Sequence, residues 1–196
     1  MEECRLAAKD LACRRGERLL FARLSLELAG GQALQVAGPN GMGKSSLIRL
    51  LAGLLRPFAG SVARTGTMAL VDERPALDEH QPLGAALAFW GALDKGTAPL
   101  DRPEIAKLGL GTLLDVPVRY LSTGQRKRAA LARLIGQGAP IWLLDEPLNG
   151  LDTHGVALVE ALVAEHCAAG GMAVIASHQP FTLPGLQRLD LGDYAA

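Results

Sequence analysis

The pattern of apolar and polar residues predicts strands near the start of the chain, followed by a helix. Residues 21–30 alternate apolar and polar side chains, and Leu34 and Val36 extend the pattern, so we expect short strands there. Residues 47–55 follow a helical pattern that Pro57 is expected to close. A glycine-rich loop separates the strand from the helix, which gives the order strand, loop, helix.

Farther along the chain, short apolar runs alternate with helical patterns. Met68–Val71, Ile141–Asp145 and Ala173–Ser177 have the length and composition of buried strands, whereas 156–171 is an amphipathic helix that ends in two glycines. The segment 72–137 is expected to be mostly helical. This alternation predicts an α/β fold whose mostly parallel sheet is covered on both faces and binds ligands at the carboxyl ends of its strands.

Composition narrows the classes of protein that fit. The chain has 196 residues, 49% of them hydrophobic, which suits one domain; its formal net charge is zero, so we expect no nucleic-acid partner. Cys4, Cys13 and Cys167 form neither a CxxC pair nor a disulfide framework, which favours a reducing cytosol. We expect no secretory signal and no membrane-spanning stretch, so that the chain reaches a membrane only through a partner.

A glycine-rich segment matches the pattern GxxxxGK[ST] between a predicted strand and a predicted helix. Glycines let backbone N–H groups turn toward phosphate oxygens, and the start of the following helix presents further N–H groups to the same anion. We therefore expect a nucleotide here, with Lys44 on the β- and γ-phosphates and Ser45 on Mg²⁺. A glycine-rich turn without a ligand is the alternative. The segment comprises Gly38, Pro39, Asn40, Gly41, Met42, Gly43, Lys44 and Ser45, followed by Ser46.

Two adjacent carboxylates, Asp145 and Glu146, stand at the end of a predicted buried strand. A hard cation prefers oxygen ligands, so Asp145 is expected to help hold Mg²⁺, and Glu146 is placed to polarise an attacking water. The alternative is a simple strand-ending turn, but the phosphate loop favours the catalytic interpretation.

A third motif, Leu121–Gln125 with the sequence LSTGQ, precedes an arginine- and alanine-rich helix. Ser122 and Gln125 have the spacing of a capping box, which is expected at any such helix start. The same helix start, with its serine hydroxyl and Gly124, is also a phosphate-binding surface. The two interpretations are compatible.

Together with Asn149–Asp152 and His178, these motifs resemble the ABC ATPase family in order and spacing, over nearly the whole chain. The resemblance implies a P-loop NTPase of the ABC type, with an inserted helical subdomain at approximately 75–138, that binds ATP with Mg²⁺ and hydrolyses it. It further implies that Lys44, Glu146 and His178 act in catalysis, with His178 on the γ-phosphate.

The family pattern also implies a second ATP-binding subunit, packed head to tail as a homodimer. Ser122, Gly124 and Gln125 of one subunit would then act on ATP bound by the other. Asp152 would help to connect the two sites across the interface.

A narrower resemblance covers 19–57, 121–134 and 141–180, which are similar to the ATP-binding subunits of the bacterial haem exporter of cytochrome c maturation. It implies integral membrane subunits as partners, a peripheral location at the cytoplasmic face of the inner membrane, and ATP hydrolysis that powers haem export or release of a haem chaperone. A soluble single-cassette ATPase that acts as an assembly factor is the alternative, and a scaffold that has lost hydrolysis is another.

The sequence departs from the ABC pattern in two places. Arg74 stands where the family usually has a glutamine near Mg²⁺ and the attacking water. Arg14 and Arg15 stand where the family often stacks adenine on an aromatic ring. A guanidinium can stack on a base, or these arginines are solvated surface charge.

Three large apolar residues, Leu87, Phe89 and Trp90, lie in the middle segment. Such residues are usually core, and we expect the same here. An exposed Phe89 or Trp90 would instead indicate a surface that docks on a membrane subunit.

Overall fold

A computed structural model describes residues 4–72, 75–94 and 102–195, and its strands form two sheets of different kinds. The larger sheet has the order β5-β6-β7-β3-β8, and every neighbouring pair in it is parallel. The smaller sheet has the order β2-β1-β4 and is antiparallel. The strands are β1 Arg5–Arg15, β2 Arg18–Ala29, β3 Ala33–Ala37, β4 Ala59–Thr65, β5 Met68–Val71, β6 Ile141–Asp145, β7 Met172–Ala176 and β8 Gln187–Asp190.

Helices connect the strands of the parallel sheet and cover its faces. The α-helices are α1 Lys44–Leu51, α2 Leu83–Leu93, α3 Arg102–Lys107, α4 Thr123–Gly136 and α5 Thr153–Ala168. Short 3-10 helices span Gly111–Leu113, Val118–Tyr120 and Leu191–Tyr194.

The central strands β3, β6 and β7 are buried along their whole length. Successive residues of a strand point to opposite faces, and in β6 they enter different cores. Leu143 packs with α1 and the antiparallel sheet, whereas Leu144 packs with α4 and α5. A parallel sheet covered on both faces explains why these strands have continuous apolar sequences rather than alternating ones.

Three strands of the parallel sheet, β5, β6 and β7, agree closely with the sequence predictions, whereas β8 was not predicted. Met68–Val71 and Ile141–Asp145 are strands with the predicted bounds, and the strand expected at Ala173–Ser177 begins and ends one residue earlier. The helix that follows the glycine-rich loop ends at Leu51, short of the predicted 55. The alternating segment 21–30 lies mostly in one long strand, β2.

The middle segment contains α2, α3 and α4, and its division into a separate subdomain stays a prediction. Leu87 is buried as expected, but Phe89 is 58% exposed. Side chains two residues apart in an α-helix point about 200° away from each other around the helix axis, so Phe89 lies on the face of α2 opposite Leu87. Trp90 is partly buried, donates its indole N–H to Ala76 O at 2.6 Å, and lies 3.6 Å from the guanidinium of Arg133.

Within 4–72, 75–94 and 102–195, no helix has the length and apolar character needed to cross a membrane.

Candidate functional site

Three segments that carry predicted site residues meet at one edge of the parallel sheet. The glycine-rich loop follows β3, Glu146 follows β6, and His178 lies just beyond the end of β7. Because β6, β7 and β3 are parallel neighbours in that order, their carboxyl ends point to the same edge. This is the edge at which parallel α/β sheets bind ligands.

The glycine-rich loop has a backbone that only glycine adopts easily. Gly38, Gly41 and Gly43 have φ of 137°, 82° and 106°, which is the left-handed region that L side chains avoid. Gly43 caps α1 without any side-chain hydrogen bond, so the first N–H groups of the helix face the loop without a side-chain acceptor. A loop of this shape at a helix start suits an anion.

The Lys44 side chain folds back over the loop and is only 6% exposed. Its ammonium donates to Gly38 O at 2.8 Å and to Pro39 O at 3.3 Å, and lies 3.4 Å from Asn40 Oδ1. It also forms an ion pair with Glu146 Oε1 at 3.5 Å. The positive charge therefore lies between the loop and the first residue after β6.

Ser45 and Asp145 are brought together although they are 100 positions apart in the chain, with the Ser45 hydroxyl donating to Asp145 Oδ1 at 3.0 Å. Burial raises the pKa of the Asp145 carboxyl, and the charges of Asp72 and Glu146 raise it further against the opposing effects of Ser45 and Arg49. A buried carboxylate with a raised pKa is one that a bound cation would stabilise in its ionised form.

The side chains of Ser45 and Asp145 are suitable ligands for Mg²⁺. Within the part of the chain that the structure describes, no cluster of three His, Cys, Asp or Glu side chains forms a metal cage. Mg²⁺ commonly uses only one or two protein oxygens and completes its shell with phosphates and water. The Ser45 hydroxyl and the Asp145 carboxylate supply oxygens of this kind beside the phosphate loop.

Glu146 contacts His178 as well as Lys44. Its Oε2 lies 2.9 Å from His178 Nδ1, and its backbone N donates to Ala176 O at 2.8 Å. The side chain of His178 is 41% exposed, whereas that of Glu146 is 14% exposed. Glu146 also has φ of 46°, an unfavourable conformation for a residue with a side chain. A carboxylate held in this way, next to an imidazole and an ammonium, can accept a proton from a water at the loop.

The motif at Leu121–Gln125 begins α4 with a complete capping box. Gln125 N donates to Ser122 Oγ at 3.2 Å, and Ser122 N donates to Gln125 Oε1 at 2.8 Å. Capping was one of the two sequence interpretations, and it is present. The capping box does not test whether the start of α4 also binds a phosphate.

This motif lies beside Asn149–Asp152 rather than beside the phosphate loop. A Cβ added to Gly124 would be 3.2 Å from Gly150 O. Asp152 caps α5 by accepting from Gly155 N at 2.8 Å. In the described ranges, no hydrogen bond or ion pair joins 122–125 to 38–45. The start of α4 and the segment before α5 together line a surface cavity of about 400 Å³, whose lining includes Ser122, Gly124, Arg128, Gly150, Asp152 and His154.

The remaining predicted residues surround the loop or fall outside it. The Ser46 hydroxyl is hydrogen-bonded to the Cys13 thiol, and Met42 packs against the core on the α1 side of the sheet. The guanidinium of Arg14 stacks on the ring of Phe58 at 4.7 Å. Arg74 lies outside the described residues.

Sequence reasoning missed a hydrogen-bonded group next to His178. Gln35, in the middle of β3, donates to Gln179 O, and Gln179 donates to Asn149 Oδ1. One signal could have revealed it, because Gln35 is the only polar residue in the otherwise apolar sequence ALQVA. A polar side chain in a buried strand requires a partner.

Comparison with known proteins agrees with this geometry. Residues 21–149 match the family model described as ABC transporter. A relative from Novosphingobium aromaticivorans, the cytochrome c biogenesis ATP-binding export protein CcmA, is 59% identical over 194 residues, covering 99% of each chain. The protein of the same name from Sphingopyxis alaskensis is 53% identical over 187 residues, covering 95% of this chain and 96% of the relative.

Solved structures show the same fold. The ATP-binding subunit of an ABC transporter superposes with a TM-score of 0.80 at 21% identity, over 88% of this chain and 79% of the other. The fold predicted from sequence, a P-loop NTPase of the ABC type, is thereby confirmed. The chain is an ATP-hydrolysing member of the ABC transporter family, and within that family it belongs with the ATP-binding proteins named CcmA.

Proposed function

We propose that the chain binds Mg²⁺–ATP at residues 38–45 and hydrolyses it with Glu146 and His178. One observation carries the proposal: Lys44, Ser45, Asp145, Glu146 and His178 are linked by contacts of 2.9–3.5 Å at one edge of the sheet. Phosphoryl transfer needs mainly positioning and charge stabilisation, and this group offers both.

Each residue has a role that follows from its position. The N–H groups of the loop and of the α1 start would hold the phosphates, and Lys44 would exchange its loop carbonyls for phosphate oxygens. Ser45 and Asp145 would hold Mg²⁺, which neutralises phosphate charge when bound. Glu146 would accept the proton of the attacking water, while His178 orients the Glu146 carboxylate and approaches the γ-phosphate.

We also propose that two chains act as a head-to-tail homodimer. The start of α4 lies against Asn149–Asp152 and away from the phosphate loop of its own chain. A helix start serves an anion only where its N–H groups point, so Ser122, Gly124 and Gln125 would reach the ATP of a second subunit.

The biological task that fits best is powering an export step in cytochrome c biogenesis, with haem or a haem chaperone as the released cargo. The names of the relatives describe ATP-binding export proteins of cytochrome c biogenesis. In this proposal integral membrane subunits hold the chain at the cytoplasmic face of the bacterial inner membrane. The exposed side chains of Phe89 and Leu93, one turn apart on α2, are the proposed docking surface.

Purification of the chain from its native membranes tests this task. We expect a small set of multi-pass polypeptides to co-purify, together with bound haem. Recovery of the chain without membrane polypeptides would reject the export role and favour an assembly ATPase. Co-purification with membrane polypeptides that carry no haem would keep the export role and reject haem as cargo.

A further inference from the structure

Gln179 is held between the strand that precedes the phosphate loop and the turn that follows Glu146. Its backbone O accepts from Gln35 Nε2 at 2.8 Å, and its own Nε2 donates to Asn149 Oδ1 at 3.1 Å. Gln35 lies in β3 and is only 4% exposed. The backbone carbonyl and the side chain of Gln179 thus connect three segments, which are the middle of β3, the turn that follows β6 and the residues that follow β7.

The backbone on both sides of His178 is fixed by the same group. Gln179 N donates to Ser177 Oγ at 3.0 Å, and the Ser177 hydroxyl donates to Gln179 O at 3.2 Å. Ser177 is completely buried. Because the residues before and after His178 are held, the imidazole projects from a fixed support.

The turn that carries Glu146 is tied to the other end of this group. Asn149 N donates to Glu146 O at 3.3 Å, so Asn149 and Glu146 share one turn. The Gln179–Asn149 bond therefore runs beside the 2.9 Å contact between His178 and Glu146 and joins the same two segments.

Gln35 is a buried amide that depends on this connection for a hydrogen-bond partner. Burying an amide in an apolar strand is unfavourable unless the amide is hydrogen-bonded. The bond from Gln35 to Gln179 O supplies that partner, and it fixes the backbone from which the Gln179 side chain reaches Asn149.

We propose that Gln179 is a positioning residue for ATP hydrolysis, acting through its bond to Asn149 to hold His178 at the correct place relative to Glu146. The inference rests on the roles proposed above for Glu146 and His178. It assigns Gln179 no contact with the reacting atoms, so its effect belongs to the rate of hydrolysis and not to the affinity for ATP.

Two single substitutions and their combination test the bond. Gln179→Ala and Asn149→Ala should each lower kcat about tenfold and leave KM for ATP within about twofold, because small misplacements of catalytic groups slow the chemical step while the phosphate loop is unchanged. The double variant should be no slower than the slower single variant, since both changes remove one shared bond. Asn149→Asp keeps an oxygen acceptor for Gln179 and should recover most of kcat.

Gln32→Ala is the matched control. Gln32 also uses its side-chain amide in a turn, accepting from Ala29 N at 2.8 Å, but this turn is exposed and lies at the opposite, amino-terminal end of β3. Its kcat should equal that of the wild type. Thermal melting identifies any variant that does not fold. If Gln179→Ala does not fold, the kcat values of Asn149→Ala and Asn149→Asp still test whether the bond between Gln179 and Asn149 matters for hydrolysis.

An unchanged kcat in Gln179→Ala would overturn the inference, as would losses that multiply in the double variant or an Asn149→Asp that is as slow as Asn149→Ala. Glu146→Gln separates this result from failure of the proposed function. A fast Glu146→Gln would reject the site itself, whereas a slow Glu146→Gln with a normal Gln179→Ala would reject only the role of Gln179.

Discussion

Replacement of Glu146 by glutamine separates the chemistry of this side chain from its contribution to stability. The amide has nearly the same shape as the carboxylate, so it still fits between Lys44 and His178. It has little capacity to accept a proton from water. Loss of a general base commonly costs about a hundredfold or more in turnover, and a hundredfold corresponds to about 2.7 kcal/mol in activation free energy.

The structure limits the accompanying loss of stability. Lys44 loses its ion pair with Glu146 at 3.5 Å, but its ammonium keeps two carbonyl acceptors, Gly38 O and Pro39 O. The buried charge is therefore not left without partners, and we expect the free energy of unfolding to change by only about 1 kcal/mol. Activity and stability should respond to this substitution on different scales.

Three measurements on one preparation check this prediction. Phosphate release at saturating ATP should fall by about a hundredfold or more, calorimetry should show ATP binding close to that of the wild type, and chromatography should show an ATP-trapped dimer. Normal turnover would refute Glu146 as the base. A large fall in melting temperature with a parallel loss of ATP binding would mean that Glu146 supports the loop structurally.

Three further predictions use other parts of the molecule. Burial raises the pKa of Asp145 in the folded protein, so the free energy of unfolding should fall as the pH rises from the ordinary pKa of an aspartate to the raised one. Asp145→Asn should therefore melt at a higher temperature than the wild type at pH 7 in EDTA and lose this advantage in acid; a lower melting temperature at pH 7 would contradict the argument. Phe89→Ser should release the chain from native membranes without loss of ATPase activity, whereas Leu54→Ser, at a site of similar exposure, should not; retention of Phe89→Ser on membranes excludes that anchor. A mixture of Lys44→Ala and Gly124→Asp chains should dimerise with ATP and hydrolyse it faster than either variant alone, because one of the two composite sites carries neither change. Full activity of Gly124→Asp alone would reject action in trans. Gly124→Ala is the control for crowding, because its Cβ would lie 3.2 Å from Gly150 O.

The inner strands of the parallel sheet could be predicted because they are buried on both faces and therefore apolar along their length. Ile141–Asp145 and Met68–Val71 are apolar runs whose short length favours a buried strand over a helix. β1, β4 and β8 were missed because their burial follows no simple rule: every β4 residue is at least partly exposed, and β1 contains shifts of register. In addition, β4 pairs with β1 and β8 pairs with β3, and both of these partners are distant in sequence.

Some residues of the candidate site could likewise be predicted from the sequence, and others could not. The glycine pattern and Asp145 could be identified from the sequence because the phosphate and cation binding that we propose for them needs particular residue types at fixed spacing. Phe89 was expected in the core because hydrophobicity alone does not reveal which face of α2 lacks a cover. The link from Gln179 to Asn149 spans 30 positions, and only the neighbouring positions of β6 and β7 bring the two residues together.

The strand order also has a consequence for how the chain is made. β7 lies between β6 and β3 in the sheet, yet a ribosome makes it after both. Until Met172–Ala176 has been synthesised, the described strand that pairs with both β3 and β6 is missing, and the contact between Ser45 and Asp145 lacks the sheet pairing that aligns the two segments. Pairing between such distant segments is a late event in folding. We therefore expect the complete nucleotide site to form late in the synthesis of the chain, after β7 has been made.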